Sequence, residues 1–314
     1  MPGGRHSALA KAKIDHAAMR GARAVVAAME ATQADNDVQY HGLVALCRFL
    51  PYGREDEVAS CGAVRACLGA LRVHPDDVGV ASQGCVVLAQ LTKAGGAAAE
   101  VVVRAGGVRA LVRTMDRHRA MDDEGRCEPQ RTAAHALANL SSYTNAHAAA
   151  VRKEGGLDAA LHTLRYYLAD PAAMAEAARC VARLTQQFPG DAALVCAAAA
   201  PLCGAMAALP EYETVQSAGC EALAAVAAHA GAGGAPALAC LRGVLRARGV
   251  WAVGKALRAQ RGSLAVAFGG VELASSILGA DSLPEDIMEL WSEELASQEF
   301  VSALVEAACA AGAD

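Results

Sequence analysis

The sequence predicts an all-α fold, a stack of short helical units wound into a right-handed solenoid. Three observations carry that expectation. A frame of small and apolar residues returns along the chain at intervals of 42, 49, 44 and 42 residues. Paired glycines punctuate the intervals between frames. The composition, 54% hydrophobic with only 4% aromatic residues, supplies an Ala-, Val- and Leu-rich core that favours closely packed helices. No segment shows the sustained two-residue alternation of a half-buried strand.

The frame is set by an anchor residue: Leu46, Leu88, Leu137, Val181 and Leu223. Four positions earlier stands a small residue, Gly42, Gly84, Ala133, Ala177 or Gly219. Three positions later stands an apolar one, Phe49, Leu91, Leu140, Leu184 or Val226. These offsets share one helical face, where the small residue lets a neighbouring helix approach. Seven positions before the anchor, three of the five units carry Gln: Gln39, Gln130 and Gln216. Between anchors, Gly106-Gly107 and Gly155-Gly156 each follow a short Ala/Val-rich segment, and Cys61-Gly62-Ala63 is a looser copy. A glycine there ends one short helix and turns the chain into the next. Each unit therefore reads as a short helix, a glycine turn, a second helix, a loop and a longer third helix bearing the anchor.

The domain layout follows in order. Residues 1–20 form a helical lead-in, 21–229 about five repeats, 230–280 a divergent helical region and 281–314 an acidic helical cap. In the divergent region, Gly269-Gly270-Val271 reads as another turn, and SLPEDIMELWSEELASQEF as the third helix after it. Ser282 and Glu285 there have capping-box spacing. A solenoid needs such an end to cover its last apolar face.

The stretch QRTAAHALANL at 130–140, with Asn145, Val151 and Gly155-Gly156 beyond it, resembles the armadillo repeat. The units at Leu46, Leu88 and Leu223 are similar, and the one at Val181 has Met174 in place of Gln. HEAT repeats are the nearest alternative, and the Gly-Gly turns favour armadillo. The resemblance covers roughly residues 20–229 and implies an armadillo-type α-α superhelix whose third helices line a concave, partner-binding groove.

Chemistry is excluded more readily than it is found. The sequence has no HExxH, phosphate-loop, GxSxG or dinucleotide glycine motif, so no enzyme, cofactor or metal is expected. His118 with Asp122, Asp123 and Cys127 matches no zinc spacing and reads as a polar loop, and His74 reads as a capping residue. Cys85, Cys180 and Cys220 fall near one repeat position, as small core residues do. Eleven cysteines without a CxxC pair, together with an N-terminus lacking an apolar run, point to a reduced protein of the cytoplasm or nucleus, free of the membrane. The net charge of -5 argues against nucleic acid as a partner. That charge is uneven: from Gly262 onward stand ten Asp or Glu and no Lys or Arg.

The exposed stripe of each third helix should fall six and two positions before the anchor and two after it. It reads Tyr40, Val44 and Arg48; Ser82, Val86 and Gln90; Arg131, His135 and Asn139; Ala175, Arg179 and Arg183; Ser217, Glu221 and Ala225. Importin-type members of the family clamp basic peptides with Trp and Asn at the last two of these positions. Here only Asn139 fits. Arg131, Arg179, Arg183 and His135 make the stripe basic in its middle, closer to the catenin-type groove that accepts acidic partners. The expectation is a protein-interaction scaffold or adaptor that binds an acidic peptide or helix through Tyr40, Arg48, Gln90, Arg131, His135, Asn139, Arg179 and Arg183. The alternatives are a regulatory subunit or exchange factor, and an enzyme with a site in residues 230–280. The loop DRHRAMDDEGRCE at 116–128 and the acidic C-terminal region are further candidate surfaces, the latter as a cap or as a segment folding back on the groove.

Overall fold

The computed structural model describes residues 18–50, 54–93, 95–121, 127–188, 191–228, 235–278, 284–296 and 299–311. Every regular element among them is helical. The loop centre at 122–126, the proposed N-cap Ser282 and most of GAGGAP lie outside the described residues. The chain divides into two compact units, Met1–Arg119 with Glu128–Glu154, and Ala120–Cys127 with Gly155–Asp314.

The first unit holds α1 (18–31), α2 (Asn36–Phe49), α3 (Glu55–Ser60), α4 (Ala63–Val73), α5 (Val78–Thr92), α6 (Gly96–Arg104), α7 (Gly107–Arg117), α8 (Glu128–Tyr143) and α9 (Asn145–Lys153). Third helices α2, α5 and α8 pack in series, as do first helices α3, α6 and α9, and second helices α4 and α7. The glycine turns form as the sequence requires. Gly106 adopts φ 85° in the left-handed region, where a Cβ would strain the backbone. The next glycine is needed for space, because a Cβ on Gly107 would lie 2.8 Å from the Val102 carbonyl oxygen.

The second unit holds α10 (Gly156–Tyr166), α11 (Pro171–Gln187), α12 (Ala192–Ala208), α13 (Glu213–Ala227), α14 (Ala235–Arg246), α15 (Gly249–Ala259), α16 (Leu264–Leu278), α17 (Glu285–Ala296) and α18 (Glu299–Ala311). Its third helices are α11, α13 and α16, packed in that order. One unit departs from the three-helix expectation. The single helix α12 replaces a first and a second helix, because CAAAAPLCGAMAA offers strong helix formers and no glycine pair at the turn.

The register after His229 also differs from expectation. Gly269 and Gly270 lie inside α16 and make no turn. The turn comes earlier, at Arg248, a non-glycine residue at φ 59°. The sixth third helix is therefore α16, with Gly270 as its small residue, Ala274 as anchor and Ile277 beyond. SLPEDIMELWSEELASQEF instead contributes to α17 and α18, which pack on α14 and on α15 and α16. There Trp291 and Phe300 are buried edge to face, with ring centroids 6.4 Å apart.

The conserved-looking offsets have plain physical jobs. The Nε2 of Gln216 donates to the carbonyls of Met206 and Leu209 at 2.9 and 2.8 Å. Gln39 does the same for Met29 and Thr32, and Gln130 for Met115 and His118. Each glutamine so donates to two carbonyls at the end of the preceding helix, where intrahelical donors run out, and the Thr32 and Leu209 carbonyls also accept from Asp35 and Tyr212 N–H. Histidines stitch neighbouring repeats: His74 Nε2 lies 2.8 Å from the Gln33 carbonyl oxygen, and His118 Nε2 lies 2.9 Å from that of Pro75. His74 and His118 are the C-caps of α4 and α7, while Asp122 and Asp123 of the expected polar loop lie outside the described residues. Cys85, Cys180 and Cys220 are buried core residues, and burial pushes the Cys220 thiol up to about 12.

Candidate functional site

In the first unit the predicted stripe occupies the half-exposed face of α2, α5 and α8, except for Ser82, which is buried. Its side chains are unequally available. Tyr40 stacks edge-on against His41 at 5.2 Å and flanks Gly79 at the start of α5. Arg48 is exposed, while the Gln90 amide oxygen is buried without a hydrogen-bond partner. Asn139 donates to the Ala89 carbonyl at 3.1 Å, so it joins α8 to α5 and its amide is engaged within the stack. Arg131 pairs with Glu128 one turn back on α8, and His135 is half-buried.

In the second unit, Arg179 and Arg183 of α11 lie in one groove with Thr214, Ser217 and Glu221 of α13 and Phe268 and Glu272 of α16. The groove encloses about 610 Å³. Ala175 and Ala225 of the predicted stripe are buried. Both arginines have carboxylate neighbours: Arg179 pairs with Glu176 at 3.3 Å, and Arg183 with Glu221 at 2.9 Å. Phe268 is 65% exposed, a large apolar surface beside two cations. The sequence reading missed Phe268 and Glu272 because it placed the sixth third helix too late. Gly270, Ala274 and Ile277 repeat the small–anchor–apolar frame, and that signal would have found them.

A further basin lies outside the third helices. Between second helices α4 and α7, about 630 Å³ is lined by Leu68 and Leu71 below and by Arg72, Arg113 and Arg117 at the rim. Arg117 is bound to Asp76, N–O 2.6 Å, and holds that carboxyl below its ordinary range. The sequence reading sought partner contacts on third helices, the 116–128 loop and the C-terminal region, and not between second helices.

Stacked third helices, glycine-turned first and second helices, and a groove along the third now stand together. This is an armadillo-type helical-repeat fold. An engineered protein of known structure superposes with a TM-score of 0.65 at 22% identity over 83% of this chain and 97% of that one. A designed armadillo repeat protein in complex with the peptide (KR)4 gives 0.62 at 17% identity over 82% and 99%. Computationally designed armadillo repeat proteins for modular peptide recognition give 0.62 at 18% identity over 82% and 99%. No family model matches the sequence. No curated protein matches it either. The likeness is thus one of armadillo fold, carried by geometry at low identity. No helix among the described residues is long and apolar enough to cross a membrane.

Proposed function

We propose that this chain is a non-catalytic scaffold that holds a segment of a partner protein along its third helices. The segment is extended or helical and directs an acidic side chain to Arg179 and Arg183. An apolar side chain of the same segment rests on Phe268. The observation that carries this reading is the exposed Phe268 in one groove with two arginines. An aromatic side chain gives contact area at small entropic cost, and an arginine fork suits carboxylates. The existing pairs with Glu176 and Glu221 do not block the site. Both pairs are half-exposed, and surface pairs stabilise by only about 0–1 kcal/mol, so a partner carboxylate replaces them at modest cost.

The peptide named in one armadillo design, and the peptide recognition named in another, support a peptide as the ligand class. The proposed charge preference differs and has the partner carboxylate take Arg179 and Arg183 over from Glu176 and Glu221. Buried free thiols fit a reducing compartment, the cytoplasm or nucleus. The test is fluorescence anisotropy with two labelled octapeptides, one alternating Glu and Leu, the other (KR)4. The Glu-Leu peptide should bind more tightly, and Arg179→Glu with Arg183→Glu should weaken it about tenfold or more, a loss of about 1.4 kcal/mol. Equal binding of (KR)4, or indifference to the double charge reversal, would count against the reading.

A further inference from the structure

The third helices α5, α11 and α13 present a face that their successors cover, three positions before the anchor and one after. In α5 these residues are Cys85 and Ala89, in α11 Ala178 and Ala182, and in α13 Cys220 and Ala224. All six are buried, Cys85 and Cys220 completely. The equivalents in α16 are Val271 and Ser275, and both are exposed, Val271 by 44%. The direction of this face is fixed by α13, since a Cβ on Gly269 would lie 2.7 Å from the Cys220 Cβ. At about 100° per residue, Leu264, Val271 and Ser275 stand on the side of α16 opposite that contact. Helix α18 packs against α16 and adds Val301 and Val305, 51% and 57% exposed and one turn apart. Leu264 is 65% exposed. No third helix follows α18 among the described residues.

We propose that this face docks an amphipathic helix of another protein in the position of a seventh third helix, and that the docked helix is basic along its flanks. A helix is required because α16 and α18 offer no open backbone edge, only ridges and grooves of side chains for another helix to fill. Its charge follows from the surroundings. No Lys or Arg occurs from Gly262 onward, where ten carboxylates stand. Glu272 adjoins Val271, Glu289 and Glu293 are exposed on α17, and Glu306, paired with Arg261 at 3.4 Å on the exposed surface, adjoins Val305. Two copies of so acidic a face repel one another, which disfavours self-association through it. Isolated exposed valines are ordinary, but Val271 occupies the register that is buried in α11 and α13, the earlier steps of the unit's stack.

The probe is a fluorescein-labelled peptide copying Glu213–Ala227 with Glu213→Lys, Ser217→Lys and Glu221→Lys, titrated with the full chain by anisotropy. Saturable binding is expected, weaker as sodium chloride rises from about 0.05 to 0.5 M, because screening shortens the reach of the carboxylates. In the chain, Val271→Arg with Val305→Arg should weaken binding about tenfold or more, and Val271→Ala with Val305→Ala less so. Arg179→Glu with Arg183→Glu should leave it unchanged, which separates this face from the groove above. Circular dichroism checks that each variant is folded, and the alanine pair serves if the arginine pair is not. Absence of binding, or binding indifferent to both valine pairs, overturns the proposal. So does a dimer detected by light scattering that Val271→Arg dissolves, since a second copy would then be the occupant.

Discussion

Gln216 shows how much one side chain does in a repeat. Its amide is buried, and its two donors close carbonyls at the end of α12, a helix whose Pro201 already removes one internal donor. Gln216→Ala should lower unfolding stability in urea by about 1–3 kcal/mol, since the Met206 carbonyl loses its amide donor and Leu209 keeps only the longer bond from Tyr212 N–H. Gln216→Glu should cost at least as much, because a carboxylate brings acceptors where donors are needed. A midpoint unchanged in either variant would refute this account of the residue. The sequence displayed Gln39, Gln130 and Gln216 as a recurrence, but their target is non-local. The carbonyls they bind lie 7 to 15 residues back, and only the fold brings them within reach. Asn139 is the converse case. Its position marked it as a groove residue, while packing of α8 on α5 turned its amide to Ala89.

Between elements, the repeats are joined by carboxylates that do two jobs at once. Asp77 caps the N-terminus of α5 by accepting from Val80 at 2.7 Å, and accepts from Asn36 of α2 at 2.8 Å. The Val80 amide first, then Asn36, hold its carboxyl below the ordinary range. Asp76 is likewise depressed by Arg117, and Glu100 by His147 and Arg104. A carboxyl depressed in the folded state stabilises fully above its unfolded pKa, and that contribution disappears as pH falls through the folded value. The urea midpoint should therefore be nearly level from about pH 8 to 5 and fall steeply below about pH 4. Asp77→Asn keeps a capping oxygen but removes the charge, so its midpoint should start lower at neutral pH and fall less on acidification. An equally steep acid fall in the variant would assign the pH dependence to other carboxylates. The bond of Asp77 to Asn36, 41 residues away, depends on how α2 and α5 stack.

At the scale of the whole molecule, stability in a repeat stack is local, passed from neighbour to neighbour. Phe300 is buried against Trp291, and its backbone touches the space a Cβ on Gly254 would need. Phe300→Ala should cost about 3–5 kcal/mol locally. Amide hydrogen exchange should then show protection lost in α15 to α18 and retained in α2, α5 and α8 of the first unit. Uniform loss across both units would mean that the chain unfolds as one cooperative body. The same locality explains how α12 abandons the three-helix pattern while α13 keeps its frame intact: each third helix needs only a surface to pack on, and a single long helix supplies one.

The order of small residue, anchor and apolar residue, the glycine pairs and the Ala-rich composition were enough by themselves to determine an all-α repeat stack, and the resemblance of residues 130–157 to the armadillo repeat implied its type. Such signals are local, written within one helical turn or one tight turn, and survive without knowledge of neighbours. Tertiary structure decided where the sixth repeat begins, because Arg248 accepts a left-handed turn that the sequence rule reserves for glycine, while Gly269 and Gly270 serve helix contact instead. It also decided which stripe residues remain available. Arg131, Arg179 and Arg183 read alike in sequence, yet Arg183 is held by Glu221 of the next third helix while the other two pair along their own. Charge pairing and burial depend on what a neighbouring helix brings, and a periodic pattern specifies that neighbours exist without saying which side chains they present.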